Sequence, residues 1–184
     1  MGGFICVAKQ EKESEMSVQS FFQLKAQDID DKWVQFSTLK TKKAILIINI
    51  GLDGLKPVEE QIKELANIYK QFKDIGLEVL LFPCEGEGET KLVAQDLKAQ
   101  IKDICGMEFL VFSKVEVNGP NANEVFKFLK RNSPLYDPRT GVTGNIKGSF
   151  YKFVVNGAGA VVEYGDPATP PSKMTTKILK LLVS

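Results

Sequence analysis

The chain has 184 residues, of which 43% are hydrophobic and 26% are charged, a balance typical of a globular protein with one full core. Its net charge of +1 gives no electrostatic indication of a nucleic acid or an anionic membrane as a partner. The sequence contains no histidine, which excludes Ser-His and Cys-His nucleophile pairs and most zinc sites. We expect neither a metal nor a cofactor.

The cysteines and the hydropathy pattern indicate an intracellular protein. Cys6, Cys84 and Cys105 are odd in number and widely spaced, which fits neither a disulfide framework nor a metal site and suits a reducing compartment. No apolar run approaches the roughly 20 residues that span a bilayer, and the amino terminus does not resemble a secretory signal. The predicted location is the cytoplasm.

In chain order, the predicted elements alternate between strands and helices. Residues 1–16 combine a short apolar head with a charge-rich stretch, which predicts an amino-terminal arm before a domain over residues 17–184. Residues 33–36 and 44–50 then predict a short strand and a buried strand. The remaining pattern predicts a helix over 57–74, a strand over 77–82, a helix over 93–104, a strand over 109–112, a helix over 124–131, a hairpin from 150–155 and 160–164, and a helix after Ser172.

This order of elements is that of a thioredoxin-like α/β fold. We expect a single domain with a central mixed β-sheet flanked by helices. A right-handed crossover through the helix at Pro57 would make the strands at 44–50 and 77–82 parallel neighbours.

The turn between the first buried strand and the helix at Pro57 is a candidate site, because helix N–H groups gather at such turns. It contains Asp53 but no cysteine, serine or histidine. Aspartate is favoured as a helix cap or turn residue. A second interpretation joins Asp53 to Glu85, Glu87 and Glu89 as ligands of a divalent cation, although this spacing differs from that of a calcium loop.

Several segments are similar to the glutathione peroxidase family. The most specific is Lys-Val-Glu-Val-Asn-Gly-Pro-Asn-Ala over residues 114–122, followed by Phe-Lys-Phe-Leu-Lys over 126–130. Phe-Pro-Cys at 82–84 and Gly-Leu-Lys-Pro at 54–57 resemble two further family motifs. Ile146-Lys147, Phe150 and Lys152-Phe153 resemble the segment that holds the family's Trp-Asn pair. The resemblance covers roughly residues 17 to 183.

The resemblance implies a peroxidase in which a cysteine or selenocysteine attacks a hydroperoxide with the help of Gln, Trp and Asn side chains. At the matching positions this chain has Asp53 for the nucleophile, Gly86 for Gln, Gly148 for Trp and Ser149 for Asn. If one residue is missing before it, Gly54 takes the place of the nucleophile. A carboxylate lacks the oxidation states of a thiolate, so we expect no catalytic residue at these positions and a pseudoenzyme rather than an enzyme.

Two functions follow as hypotheses. The first is a catalytically inactive glutathione-peroxidase-like protein that serves as an interaction or structural subunit, such as a member of a cytoskeletal or ciliary assembly, with protein partners not identified by the sequence. The second is a residual thiol-dependent peroxidase or thiol exchanger of the oxidative-stress response that uses Cys84 or Cys105. The resemblance implies a resolving cysteine near Cys105, whereas free cysteines are also commonly buried as inert residues.

The amino-terminal arm allows three interpretations. Gly2 begins a myristoylation-like signal, and Cys6 is a candidate for palmitoylation, which would supply the second chain that stable anchoring requires. The other interpretations are a loosely packed arm and an apolar segment over 4–7 that docks into a partner protein. We expect membrane association only if Gly2 or Cys6 is acylated.

Overall fold

The computed structural model of the chain describes residues 18–85 and 93–184. Its strands and α-helices, in chain order, are β1 (Lys25–Gln27), β2 (Trp33–Gln35), β3 (Ala44–Gly51), α1 (Glu59–Phe72), β4 (Leu77–Cys84), α2 (Ala94–Cys105), β5 (Leu110–Val111), α3 (Glu124–Arg131), β6 (Tyr136–Asp137), β7 (Val142–Thr143), β8 (Lys152–Asn156), β9 (Val161–Gly165) and α4 (Pro171–Val183). Short 3₁₀ helices cover Phe21–Gln23, Phe36–Leu39, Lys56–Val58 and Lys73–Ile75.

Five strands form the central sheet in the order β5-β4-β3-β8-β9. The two buried strands β3 and β4 are parallel neighbours, as predicted, with a register that runs from Ala44 opposite Leu77 to Gly51 opposite Cys84. Strand β8 is antiparallel to β3, and β9 is antiparallel to β8, so the hairpin prediction is also confirmed. The predicted mixed sheet flanked by helices is therefore confirmed.

Strand β3 is buried along its whole length because both faces of the sheet are covered. Its alternate residues enter two different cores. Ala44, Leu46, Ile48 and Ile50 belong to the core that contains residues of α1, α2 and α4. The side chains of Ile45 and Ile47 enter the other core, under α3. Each fully buried isoleucine contributes about 1.5–3 kcal/mol relative to an exposed one.

The core under α3 is rich in aromatic rings. Phe82 and Phe112 stack with ring centroids 4.3 Å apart, and Phe21 stacks on Phe36 at 4.6 Å. Phe126 of α3 meets Phe82 edge to face at 5.5 Å. Such pairs contribute about 0.5–1.5 kcal/mol beyond the burial of their area.

Helix α1 connects β3 to β4 and covers the face of the sheet opposite α3. It starts after the 3₁₀ helix that contains Pro57, and a second 3₁₀ turn ends at Gly76, whose φ is +116°. The Gly76 carbonyl accepts hydrogen bonds from the backbone N–H groups of Lys43 and Ala44. The end of α1 is thereby tied to the start of β3.

Some sequence expectations need correction. Val93, predicted to lie on the buried face of α2, precedes that helix and is 56% exposed. The strands β1, β2, β6 and β7 are only two or three residues long, so most had no periodicity to reveal them.

The predicted arm over residues 1–16 lies outside the described residues. Within residues 18–85 and 93–184, no helix is long and apolar enough to cross a membrane.

Candidate functional site

Three segments meet at the carboxyl ends of the parallel strands. Strand β3 ends at Gly51 beside Cys84, the last residue of β4, and the Leu52 N–H donates to the Cys84 carbonyl at 3.0 Å. From the third segment, Ser149 Oγ accepts a hydrogen bond from the Gly51 N–H at 2.9 Å, and the Phe150 N–H donates to the Asn49 carbonyl at 2.8 Å. The structure thus brings together Asp53, Cys84, Gly148 and Ser149, four of the described residues that the sequence selected around this turn.

Asn49 joins these segments and was missed as a site residue by the sequence analysis. Its side chain is fully buried. Its Nδ2 donates to the Gly148 carbonyl at 2.9 Å and to Cys84 Sγ at 3.3 Å, while its Oδ1 accepts from the Tyr151 N–H at 2.9 Å. The signal available in the sequence was one amide residue within an otherwise apolar strand, because a buried polar group requires partners.

The Cys84 thiol lies beneath the turn and is 1% exposed. Burial raises its pKa, and the nearby carboxylates of Asp53 and Glu85 raise it further. The hydrogen bond from Asn49 acts in the opposite direction, as does the charge of Lys114. Since burial dominates, the thiol is held in its protonated, weakly nucleophilic form at neutral pH.

Asp53 lies in the turn after β3 and is half-buried. It does not occupy the position before either following helix: Leu55 precedes the 3₁₀ helix and Val58 precedes α1, and neither makes a side-chain cap. Gly54 has a φ of +111°, a conformation that a glycine adopts readily. No heavy atom lies within 4 Å of a Cβ built at position 54, so it is the backbone conformation rather than crowding that favours glycine there.

The segment from Gly148 to Phe150 has an unusual backbone. Gly148 has a φ of +84°, and Phe150 has a φ of +70° although it carries a large side chain. A Cβ at Gly148 would meet no heavy atom within 4 Å, so its surroundings are open. A tryptophan there would have to adopt a left-handed backbone, which costs about 1–2 kcal/mol.

Lys152 supports this segment from below and was also missed. Its side chain is fully buried, and its Nζ donates to the Phe150 carbonyl at 2.7 Å and to Gln61 Oε1 of α1 at 3.3 Å. Burial lowers the pKa of Lys152 to about 8, against the opposing charges of Asp166 and Glu64. Lys152 therefore holds the carbonyl of a residue that has a strained backbone.

The proposed acidic cluster is only partly described. Glu85 forms an ion pair with Lys114. Glu87, Glu89 and the glycine at the Gln position, Gly86, lie outside the described residues, as do Gly2 and Cys6. Among the residues that are described, no group of three His, Cys, Asp or Glu side chains is placed to hold a metal ion.

Cys105 lies far from the turn, at the carboxyl end of α2. Its Sγ donates to the Ile101 carbonyl at 2.9 Å, and its carbonyl accepts from Lys70 of α1 at 3.4 Å. The opposite end of α2, at Ala94, borders Leu52 beside the turn. A helix of 12 residues is about 18 Å long, so Cys84 and Cys105 lie at opposite edges of the sheet.

An open cleft lies beside the turn. It has a volume of about 370 Å³. It is lined by Ile29, Asp31, Leu52, Val93, Ala94, Gln95, Ser113 and Lys114. The cleft reaches the backbone next to Asp53 but exposes neither cysteine.

Comparison with known proteins gives consistent results. The family model described as glutathione peroxidase matches residues 21–130. A glutathione peroxidase of Lactococcus lactis is 31% identical over 169 residues, which cover 89% of this chain and 99% of the relative.

Solved structures support the same grouping. The apo crystal structure of Trgpx superposes with a TM-score of 0.69 at 27% identity and covers 91% of this chain and 98% of that chain. A thioredoxin-family thiol:disulfide interchange protein of Chlorobium tepidum, at 16% identity, has a TM-score of 0.59 over 86% of this chain and 92% of its own. The predicted thioredoxin-like fold is confirmed.

Proposed function

This chain belongs to the glutathione peroxidase family, and we propose that it is a member without hydroperoxide-reducing activity that serves as an interaction or structural subunit. One observation carries the proposal: the turn after β3 has an aspartate and no thiol, and the nearest described thiol, Cys84, is buried with a raised pKa.

The chemistry of the turn supports this proposal. Peroxide reduction by a protein side chain needs a nucleophile that accepts an oxygen atom and is then reduced by a thiol. The carboxylate of Asp53 cannot form a sulfenic acid, and the side chain of Ser149 is used to accept the Gly51 N–H. Neither residue offers the nucleophilic thiolate of the family mechanism.

The intact core supports a binding role. The side chains of β3 and β4 fill both cores, so the loss of the nucleophile leaves the sheet unaffected. A rigid domain of this kind can present a surface without performing chemistry, because fold does not determine function. We place the chain in a large assembly, with cytoskeletal or ciliary assemblies as the candidates and the cytoplasm as its location.

A second candidate is a thiol-dependent peroxidase or thiol exchanger that uses Cys84. It is favoured by the position of this thiol, one strand away from the turn, and by the Asn49 amide that donates to its Sγ. The L. lactis relative is also named a peroxidase. Cys105 supports this candidate less, since it lies at the other edge of the sheet.

The deciding experiment measures hydroperoxide consumption by the purified full chain, with glutathione or thioredoxin as the reductant. We expect no turnover beyond that of a Cys84→Ser, Cys105→Ser variant. Turnover by the native chain that disappears in Cys84→Ser would establish the second candidate and reject the first.

A restored variant tests whether catalysis was lost through these positions. It combines Asp53→Cys, Gly86→Gln and Ser149→Asn, with and without Gly148→Trp, because the left-handed backbone at position 148 disfavours tryptophan. We expect measurable turnover in at least one restored variant. If none of the restored variants consumes hydroperoxide although circular dichroism shows that they are folded, the turn itself has lost the required geometry.

The binding role needs its own measurement. We expect the native chain, crosslinked in its source cells, to be recovered in a complex of fixed stoichiometry well above its own mass of 20.4 kDa. Recovery as a monomer throughout would contradict the subunit role, whatever the result of the peroxide assay.

A further inference from the structure

The edge of the sheet opposite the turn gathers lysines from separate segments. The turn before β3 contributes Lys40, Lys42 and Lys43, the 3₁₀ turn before β4 contributes Lys73, and the last part of α4 contributes Lys180. Because β3 and β4 are parallel, the turns that precede them lie at the same edge. The Lys43 ammonium donates to the Leu182 carbonyl at 2.8 Å, which fixes the end of α4 there. We call these five lysines the basic edge.

The basic edge is strongly unbalanced in charge. The same segments contain one acidic residue, Asp74. The Lys42 ammonium forms an ion pair with the Glu78 carboxylate of β4 at 2.9 Å. Lys40, Lys43, Lys73 and Lys180 are exposed. Set against the carboxylates of Asp74 and Glu78, the five lysines leave an excess of three positive charges in these segments.

Exposed aliphatic side chains stand among these lysines. Ile75 is 50% exposed in the turn that contains Lys73, and Leu179 and Val183 of α4 are 37% and 79% exposed. Leu179 and Val183 are four residues apart and so lie on one face of the helix. Aliphatic groups surrounded by lysines are typical of surfaces that lie in the interface of a membrane.

The described chain also starts at this edge. The Phe21 N–H donates to the Gly159 carbonyl at 2.9 Å, and Ser20 Oγ donates to the Ala158 carbonyl at 3.2 Å. Both acceptors lie in the tip of the β8–β9 hairpin, beside the start of β3. Ser20 and Phe21 therefore lie beside the basic edge.

We propose that the basic edge docks on the anionic headgroups of a phospholipid membrane and that Ile75, Leu179 and Val183 enter the interface. Lysines bind such a surface as point charges, each contributing through its proximity to the anionic plane. The cleft beside the turn lies at the other edge of the sheet, so docking leaves it exposed. The inference is independent of whether the chain reduces peroxides.

A lipid surface fits these features better than an acidic protein. The arginines of the chain, Arg131 and Arg139, lie outside the segments that form the basic edge, and arginine is the residue whose rigid fork suits paired carboxylates. Its aliphatic groups, Ile75, Leu179 and Val183, are exposed beside the charges, and none of them lines either of the two described clefts.

The test is sedimentation of the unacylated full chain with vesicles of phosphatidylcholine alone or mixed with phosphatidylserine. We expect binding to the mixed vesicles, loss of binding in high salt, and little binding to phosphatidylcholine. In a Lys40→Gln, Lys73→Gln, Lys180→Gln variant, the partition coefficient should fall by about 100-fold, since each lysine near an anionic surface contributes about fivefold.

A matched control replaces three exposed lysines at the opposite edge, as Lys32→Gln, Lys56→Gln, Lys147→Gln. It removes the same charge and should keep most of the binding. Equal loss in the two variants, or no binding of the native chain to mixed vesicles, would overturn the proposal. Binding to polyglutamate but not to vesicles would also overturn it and assign the edge to an acidic macromolecule.

Discussion

At the scale of single residues, the buried polar side chains organise the candidate site. Asn49 bonds to Gly148, Tyr151 and Cys84 from the middle of an apolar strand. Lys152 places an ammonium group below Phe150. Burying a polar group is costly unless its partners are kept, so the contribution of each residue can be measured by removing it.

We predict that Asn49→Ala lowers the free energy of unfolding by about 2–3 kcal/mol, because it leaves a buried carbonyl and a buried N–H without their partners. Urea denaturation measures this loss. The control is Asn67→Ala on the exposed side of α1, which should change the free energy of unfolding by less than about 0.5 kcal/mol. Similar values for the two variants would contradict the organising role of Asn49.

Lys152 should make stability depend on pH. Its pKa is lowered from 10.5 to about 8 in the folded chain, so the unfolded chain binds more protons between these values and stability rises with pH across this range. Below pH 8 the penalty for the buried charge is fully present. From about pH 7 to about pH 10, we expect the free energy of unfolding of the native chain to rise by about 2 kcal/mol relative to that of Lys152→Met, after allowance for screening.

The comparison with Lys152→Met removes the titration of all other groups, which both proteins share. Lys56→Met, at an exposed lysine, serves as the control and should follow the native chain at every pH. If the difference in free energy of unfolding between the native chain and Lys152→Met is the same at every pH, the lowered pKa of Lys152 is contradicted.

At the scale of elements, the β8–β9 hairpin anchors the start of the described chain. Gly159 in its tip has a φ of +82°, and a Cβ there would lie 2.0 Å from Ser20 Oγ and 2.9 Å from Phe22 Cδ2. The hairpin needs glycine for two reasons, its backbone conformation and the close approach of the segment that contains Ser20.

These two reasons can be separated by a pair of variants. Gly141 has a similar φ of +72°, but no heavy atom lies within 4 Å of a Cβ built there. Gly141→Ala should therefore lower the free energy of unfolding only by the penalty of a left-handed backbone, about 1 kcal/mol. Gly159→Ala should cost about 3 kcal/mol or more, because the overlap adds to that penalty. Thermal denaturation of the two variants measures the difference, and equal costs would show that the hairpin tip does not pack as described.

At the scale of the whole molecule, the sheet separates the two cysteines, and it separates the turn from the basic edge. The turn with Asp53 and Cys84 lies at one edge, whereas Cys105 and the basic edge lie at the other. Membrane docking and any chemistry at the turn would therefore occur at opposite ends of the molecule.

This separation predicts that Cys84 and Cys105 do not form an intramolecular disulfide. A disulfide requires Cα atoms within about 7 Å, whereas a helix of about 18 Å stands between the two edges. In a Cys6→Ser background treated with diamide, mass spectrometry after alkylation should find both thiols free or bound to other molecules. A Cys84–Cys105 bond in the monomer would mean that α2 unfolds, and it would favour the thiol-dependent function.

The sequence by itself determined the order of the main elements, because periodicity over a long helix or a buried strand reports directly which faces are covered. It also selected Asp53, Cys84, Gly148 and Ser149, which the fold brings to one edge. The roles of Asn49 and Lys152 were decided only by the tertiary structure, since a polar residue in an apolar strand indicates that partners exist but not which ones. The basic edge has the same origin: a net charge of +1 is a sum over the chain, and only folding decides where the individual charges meet.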